Sequence, residues 1–156
     1  MSEILRKMQF KNNRQILLLN APSDFNNHLK EISQITKVYS RCKNESGDKF
    51  GFILIFVQSS VDVKNYMELT KNSLESDCNL WFAYPKKSSK KYKAEITRDL
   101  GWEFLGELGF EVVRSISIDE NWTGLRFRHL DYIKNITRNN ERLLSVKESK
   151  NNKISN

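Results

Sequence analysis

The sequence predicts an α/β domain: a mostly parallel sheet covered by helices on both faces, closing in an antiparallel hairpin. Three observations lead there. Short, continuous apolar runs, of which Phe50 to Gln58 (FGFILIFVQ) is the clearest, have the length and two-sided hydrophobicity of buried strands. Between those runs lie stretches whose apolar residues recur three and four apart, as the helices of strand-helix-strand units do. The last two extended stretches are separated only by the turn-forming Asp119-Glu120-Asn121.

At the start, Ile4, Leu5, Met8 and Phe10 read as a short core-capping helix, with a turn at Lys11-Asn12-Asn13. Gln15 to Ala21 (QILLLNA) is a first buried strand that stops at Pro22. Ser23 or Asp24 then N-caps a helix of roughly ten residues, with Phe25, Leu29 and Ile32 on one face. Thr36 to Cys42 is a second strand, and Asn44 to Asp48 a turn by composition. After the central strand at Phe50, Ser59 or Ser60 opens a helix through about Leu74, with Val63, Met67 and Leu74 as its stripe.

Cys78 to Tyr84 is the next strand, and it delivers the cationic, hydroxyl-rich loop Pro85 to Lys91 (PKKSSKK). Ile96, Leu100, Phe104 and Leu108 recur at i+4, which predicts a helix over 94–108 with Gly109 just past its end. Glu111 to Ile118 is a strand. Trp122 to Arg128 returns antiparallel at a sheet edge, with Arg126 and Arg128 facing water. Asp131 to about Val146 reads as a weakly amphipathic helix, and 147–156 as a disordered tail. The expected organisation is one α/β domain over 1–130, then that helix and tail over 131–156.

Composition narrows the class. With 38% hydrophobic and 29% charged residues, the 156-residue chain is polar-biased yet long enough to bury a core. No apolar run approaches the roughly 18 residues of a membrane span. The N-terminus has an acid at Glu3 and no apolar stretch of a secretory signal, so a cytoplasmic protein is expected. The cysteines Cys42 and Cys78 read as buried thiols in a reducing compartment. Neither His28 nor His129 has a partner at metal-ligand spacing, so no metal is expected. The net charge of +7, from 26 Lys and Arg against 19 Asp and Glu, suits an anionic metabolite, an acidic protein or nucleic acid as partner.

In a parallel sheet, ligands sit outside the carboxyl ends of the strands. Four groups of residues would then share one rim. They are Asn20 with Ser23, Gln58 with Ser59 and Ser60, Lys86 to Lys91, and Asp119 to Trp122. Lys86, Lys87, Ser88 and Ser89 are the core of a candidate anion site, because ammonium groups supply charge while hydroxyls donate hydrogen bonds. The plainer reading is a solvated surface loop. Trp122 is a packing residue in the plainer reading and a stacking platform in the sharper one. Asp119 and Glu120 are turn residues or an acid/base pair, and Asp24 is a helix cap. No Ser-His-Asp or Cys-His set and no P-loop are present.

The segment Leu80 to Ser89 (LWFAYPKKSS), followed by the hairpin Ile116 to Phe127 (ISIDENWTGLRF), resembles a family of uncharacterised bacterial proteins known only as a domain of unknown function. The resemblance spans roughly residues 4–128 and carries no activity with it. The second half is also similar to Rossmann-like, S-adenosylmethionine-dependent methyltransferases, which implies a Rossmann-like three-layer sandwich. Their glycine-rich cofactor loop has no counterpart here, where Asn20-Ala21-Pro22-Ser23 follows the first strand. The expectation is therefore a domain without cofactor or catalytic set that binds an anionic small molecule or partner at the strand-end rim. The alternatives are a divergent methyltransferase-like enzyme and a nucleic-acid-binding protein.

Overall fold

The computed structural model describes residues 2–11, 15–41 and 49–133. Ser2 caps the short helix α1 (Glu3–Lys7) by accepting the Leu5 amide, and Ile4, Leu5, Met8 and Phe10 are all buried. Strand β1 (Ile16–Leu19) leads through a 3-10 turn at Ser23–Phe25 into α2 (Asn26–Ile35) and the short β2 (Val38–Tyr39). Strand β3 (Phe50–Phe56) is followed by α3 (Ser60–Thr70), a 3-10 turn at Lys71–Ser73 and β4 (Leu74–Pro85). Helix α4 (Glu103–Glu107), strands β5 (Phe110–Ser117) and β6 (Trp122–His129) and a last 3-10 turn (Leu130–Tyr132) complete the described chain.

The six strands form one sheet in the order β2-β1-β3-β4-β6-β5. β2, β1, β3 and β4 are mutually parallel, and β6 is antiparallel to both β4 and β5. Alternation along the strands builds two cores. Leu17, Leu19, Ile53, Ile55, Leu80 and Phe82 point to the face covered by α3 and α4, where Val63, Met67, Trp102 and Leu105 pack. Leu18, Leu54, Phe56 and Trp81 point to the opposite face, under Ile4 and Leu5 of α1 and Ile32 of α2. The result is the expected α/β three-layer arrangement, mostly parallel with one antiparallel strand, β6.

Several sequence expectations are corrected. The helix expected over 94–108 exists only at its end. Thr97 breaks it: its hydroxyl accepts the amides of Asp99 and Leu100, its carbonyl accepts Trp102 Nε1, and Gly101 takes φ +107. Leu100, expected on the buried stripe, is 63% exposed. Helix α3 stops at Thr70, and Leu74 begins β4 instead of ending the helix. The second strand is two residues long, and Cys42 with the turn at 44–48 lies outside the described residues. Asp131 lies in a 3-10 turn where a helix was expected to start; the rest of that helix, from residue 134, and the tail over 147–156 lie outside the described residues.

The hairpin is present, but β6 is not an edge strand. It inserts between β4 and β5, so β5 is the edge. Arg126 and Arg128 remain partly solvent-accessible, but both are engaged by neighbours. Arg126 is half-buried and donates to Gln9 Oε1 at 2.9 Å; Arg128 forms a bidentate pair with Asp77 at 2.8 and 2.7 Å. Cys78 is a buried thiol, as expected, and among the described residues no helix is long and apolar enough to cross a membrane.

Candidate functional site

Because β1, β3, β4 and β5 share one direction, the residues that follow them lie on one edge of the sheet. The chain steps from β1 outward to β2 and then returns to lay β3 on the other side of β1. A reversal of this kind opens a crevice between the two strand ends, where ligands of open α/β sheets bind. Here the crevice lies between Asn20 after β1 and Gln58 with Ser59 after β3.

The local sequence explains each residue's position. Asn20 takes a left-handed conformation (φ +59), which asparagine tolerates, and its Nδ2 donates to the Phe56 carbonyl at 2.9 Å. That bond extends the β1-β3 pairing one step beyond Leu19 and Ile55. Ser59 is the N-cap of α3 and accepts the Asp62 amide at 3.1 Å, while Asp62 Oδ2 accepts the Gln58 amide at 2.9 Å, a reciprocal cap. Asp119 Oδ1 accepts the amides of Asn121 and Trp122 at 2.8 and 2.9 Å. It therefore builds the β5-β6 turn.

The loop after β4 does not project into solvent. It runs back across the rim, past β3, to the segment after β1. Its start is tied to the hairpin turn: the Lys86 amide donates to the Asn121 carbonyl at 2.8 Å and Lys86 Nζ to Ser117 Oγ at 2.6 Å. Ser89 Oγ donates to Asn121 Oδ1 at 2.8 Å and accepts the Lys91 and Tyr92 amides. Its far end is tied to β3, because Gln58 Nε2 donates to the Lys93 carbonyl and the Glu95 amide donates to the Gln58 carbonyl.

Asp24 closes the strap. Lys91 Nζ reaches its Oδ1 at 2.6 Å and the Tyr92 hydroxyl its Oδ2 at 3.0 Å. The Lys91 hydrogen bond, helped by that of Tyr92, holds the Asp24 carboxyl below the usual carboxylate range. The same bond raises Lys91. Burial, then the bond to Asp24, raises the Tyr92 phenol. Asp24 was expected to be a helix cap; the 3-10 turn that precedes α2 has no side-chain cap, and the carboxylate serves the loop instead.

Beneath the strap an aromatic column fills the space. Phe25, Phe56, Trp122 and Tyr92 follow one another with ring centroids 5.1, 4.9 and 4.9 Å apart. Trp122 is 3% exposed, with Phe56 and Tyr92 as ring neighbours, so it is packed in this structure. Its indole Nε1 is buried without a hydrogen-bond partner among the described residues.

The structure thus gathers Asn20, Ser59, Lys86, Lys87, Ser88, Ser89, Asp119 and Trp122 along one rim. Asn20, Ser59, Ser89 and Asp119 hold the backbone in shape, whereas Lys87, Ser88 and Lys90 are exposed on the outer side of the strap. Sequence reasoning gave Asn121 to the turn and Asp24 to a helix cap, and it passed over Tyr92; the strap they anchor together was not read. The one signal was a tyrosine directly after the KKSSKK run. Among the described residues no cluster of three or more His, Cys, Asp or Glu is placed to hold a metal.

No protein-family model and no curated protein matches this chain. The resemblance of Leu80–Ser89 and Ile116–Phe127 to a bacterial family therefore stands on those motifs alone. Solved structures do match. One is a SAM-dependent methyltransferase from Aquifex aeolicus, at 14% identity and TM-score 0.53, over 82% of this chain and 88% of that one. Another, described provisionally as a type 11 methyltransferase from Sulfolobus solfataricus, reaches TM-score 0.58 at 10% identity, over 85% of this chain and 94% of the other. The chain is similar to both in fold: a six-stranded, mostly parallel sheet of the Rossmann-like methyltransferase type.

Proposed function

We propose that the chain is a non-catalytic binding domain on a methyltransferase-like fold, which recognises an anionic small molecule at the carboxyl rim. Lys86, Lys87 and Ser88 carry the recognition, flanked by Asn20, Ser59, Asp119 and the supporting Trp122, with Ser89 fixing the loop through Asn121. The observation that carries this reading is the strap. Lys91 and Tyr92 on Asp24 draw the loop over the β1-β3 crevice, and the Phe25-Phe56-Trp122-Tyr92 column fills the volume below. A nucleotide-sized cofactor would have to displace both. The ammonium groups of Lys87 and Lys90 stay outside, where an anion can reach them.

Titration of nucleotides and phosphorylated metabolites into the protein and into a Lys86→Ala/Lys87→Ala variant tests this. Saturable binding that the double variant weakens at least tenfold supports it; equal binding in both, or none, contradicts it.

The second reading is a divergent S-adenosylmethionine-dependent enzyme, favoured by the two fold likenesses above. Against it stands the segment after β1, which has no glycine and holds Asn20 bonded to Phe56. The nucleic-acid reading keeps the net charge of +7 as its motive, while Arg128 is paired with Asp77 and Arg126 is bonded to Gln9.

A further inference from the structure

The opposite edge of the sheet holds a cavity that the carboxyl-rim reading does not use. It arises from a break in the β3-β4 pairing. Phe50 pairs with Leu74 and Phe52 with Asn79, so Glu75, Ser76, Asp77 and Cys78 stand against Gly51 alone. β4 therefore bows outward, and Asp77 turns the bow with φ +50. Bulged strands with left-handed non-glycine residues recur where a side chain has to be re-aimed. The second wall is the end of the N-terminal segment. Gln9 also takes a left-handed conformation (φ +59), and Asn79 Nδ2 pins it by donating to the Met8 and Gln9 carbonyls at 2.9 and 3.3 Å. Asn79 is itself fixed, since its Oδ1 accepts Trp81 Nε1 at 2.7 Å.

Between these walls lies a cavity of about 320 Å³, whose polar side chains include Gln9, Lys11, Asp77, Asn79, Arg126 and Arg128. That volume is at the small end of ligand sites. Its floor is cationic. Arg126 donates to Gln9 Oε1, but its Nε is buried and has no hydrogen-bond partner among the described residues. A buried guanidinium donor without a partner costs more than a solvated one. Arg126 also faces Arg114 across the β5-β6 pair, and Arg128 lies two residues along its own strand. Burial, then Arg128, lowers the Arg126 pKa, so a bound anion would relieve both effects. The carboxylates in the cavity do not cancel its cations: Asp77 is held bidentately by Arg128, which leaves Lys11 and Arg126 against Glu75.

We infer that this cavity is a second ligand site, for a small organic molecule with an oxyanion head group, either a phosphate monoester or a carboxylate. Arg126 and Lys11 hold the head group, and Gln9 orients the guanidinium. The bow of β4 and the left-handed turns at Gln9 and Asp77 keep the cavity open.

Phenyl phosphate and benzoate are the probes, titrated by calorimetry and by the ¹⁵N–¹H resonance of Arg126 Nε. The expected result is saturable binding of one of them that moves this resonance. Lys11→Ala should weaken the binding that this resonance reports at least tenfold, and Arg126→Gln should remove that event from the calorimetric isotherm. Lys11 is exposed, so its variant decides the matter if Arg126→Gln fails to fold. The inference is overturned if neither probe saturates at millimolar concentration, or if the Lys11 variant binds as the unaltered protein does. It is also overturned if the affinity follows Lys86 and Lys87, which would place the probe at the other rim and leave the first proposal standing.

Discussion

Asp24 and Lys91, 67 positions apart in the chain, meet at 2.6 Å across the carboxyl rim of the sheet. With the Tyr92 hydroxyl on the same carboxylate, this contact joins the turn after β1 to the loop after β4. It converts a lysine- and serine-rich stretch that reads as solvated into a strap over the crevice where this fold class binds ligands.

The strap should respond to pH in a defined direction. Asp24 is depressed in the folded protein, so its contribution is present above the ordinary carboxylate value of about 4 and is lost as pH falls through the lower folded value. Lys91 is raised, so its contribution is present below about 10.4 and is lost as pH climbs through the higher folded value. The protection of the Lys91 and Tyr92 amides, taken relative to the intrinsic exchange rate at each pH, should therefore hold through neutral pH and fall first in strong acid. Asp24→Asn should abolish that acid dependence. Its ion pair is solvent-accessible, so the global unfolding temperature should hardly move.

Replacing Lys86 and Lys87 together by alanine should leave stability within about 0.5 kcal/mol, because Lys87 is exposed and Lys86 adds one polar contact with Ser117. Denaturant unfolding measures this. A larger loss would make the pair structural and would undermine its use as a binding probe.

Trp122→Ala should cost roughly 3–5 kcal/mol, because it empties the space between Phe56 and Tyr92. Trp122→Phe should cost less than Trp122→Ala, because the phenyl ring keeps part of the packing against Phe56 and Tyr92. The indole N–H has no partner among the described residues, so no hydrogen bond goes with it. Chemical denaturation of the two variants separates packing from polarity at this position.

Gly101→Ala should destabilise by about 2 kcal/mol or more. Gly101 has φ +107, and an added Cβ would lie 2.1 Å from Ile96 Cγ2, a buried side chain. Thermal unfolding of this one variant checks the geometry of the turn that replaces the expected helix.

Much of the architecture was legible because burial and periodicity act locally. FGFILIFVQ could only be a strand covered on both faces, and Ser59 and Gly109 mark ends that need a cap and a left-handed residue. Over 94–108, Ile96, Leu100, Phe104 and Leu108 keep helical spacing by coincidence, and only Glu103–Glu107 is helical. Thr97 offers the backbone a competing set of bonds, and Ile96 packs from a turn. Arg126 and Arg128 were misplaced because a hairpin has the same sequence whichever of its strands is outermost. The rim was legible from strand direction alone. The strap was not, because the partnership of Asp24 with Lys91 and Tyr92 is set by tertiary geometry and leaves no periodic trace.

The most direct measurement is calorimetric titration of S-adenosylmethionine into the unaltered protein. With Asn20 bonded to Phe56 and the strap closed on Asp24, no saturable heat is predicted up to millimolar cofactor. Micromolar binding, accompanied by faster exchange at Tyr92 as the strap lifts, would contradict the account and favour the S-adenosylmethionine-dependent reading.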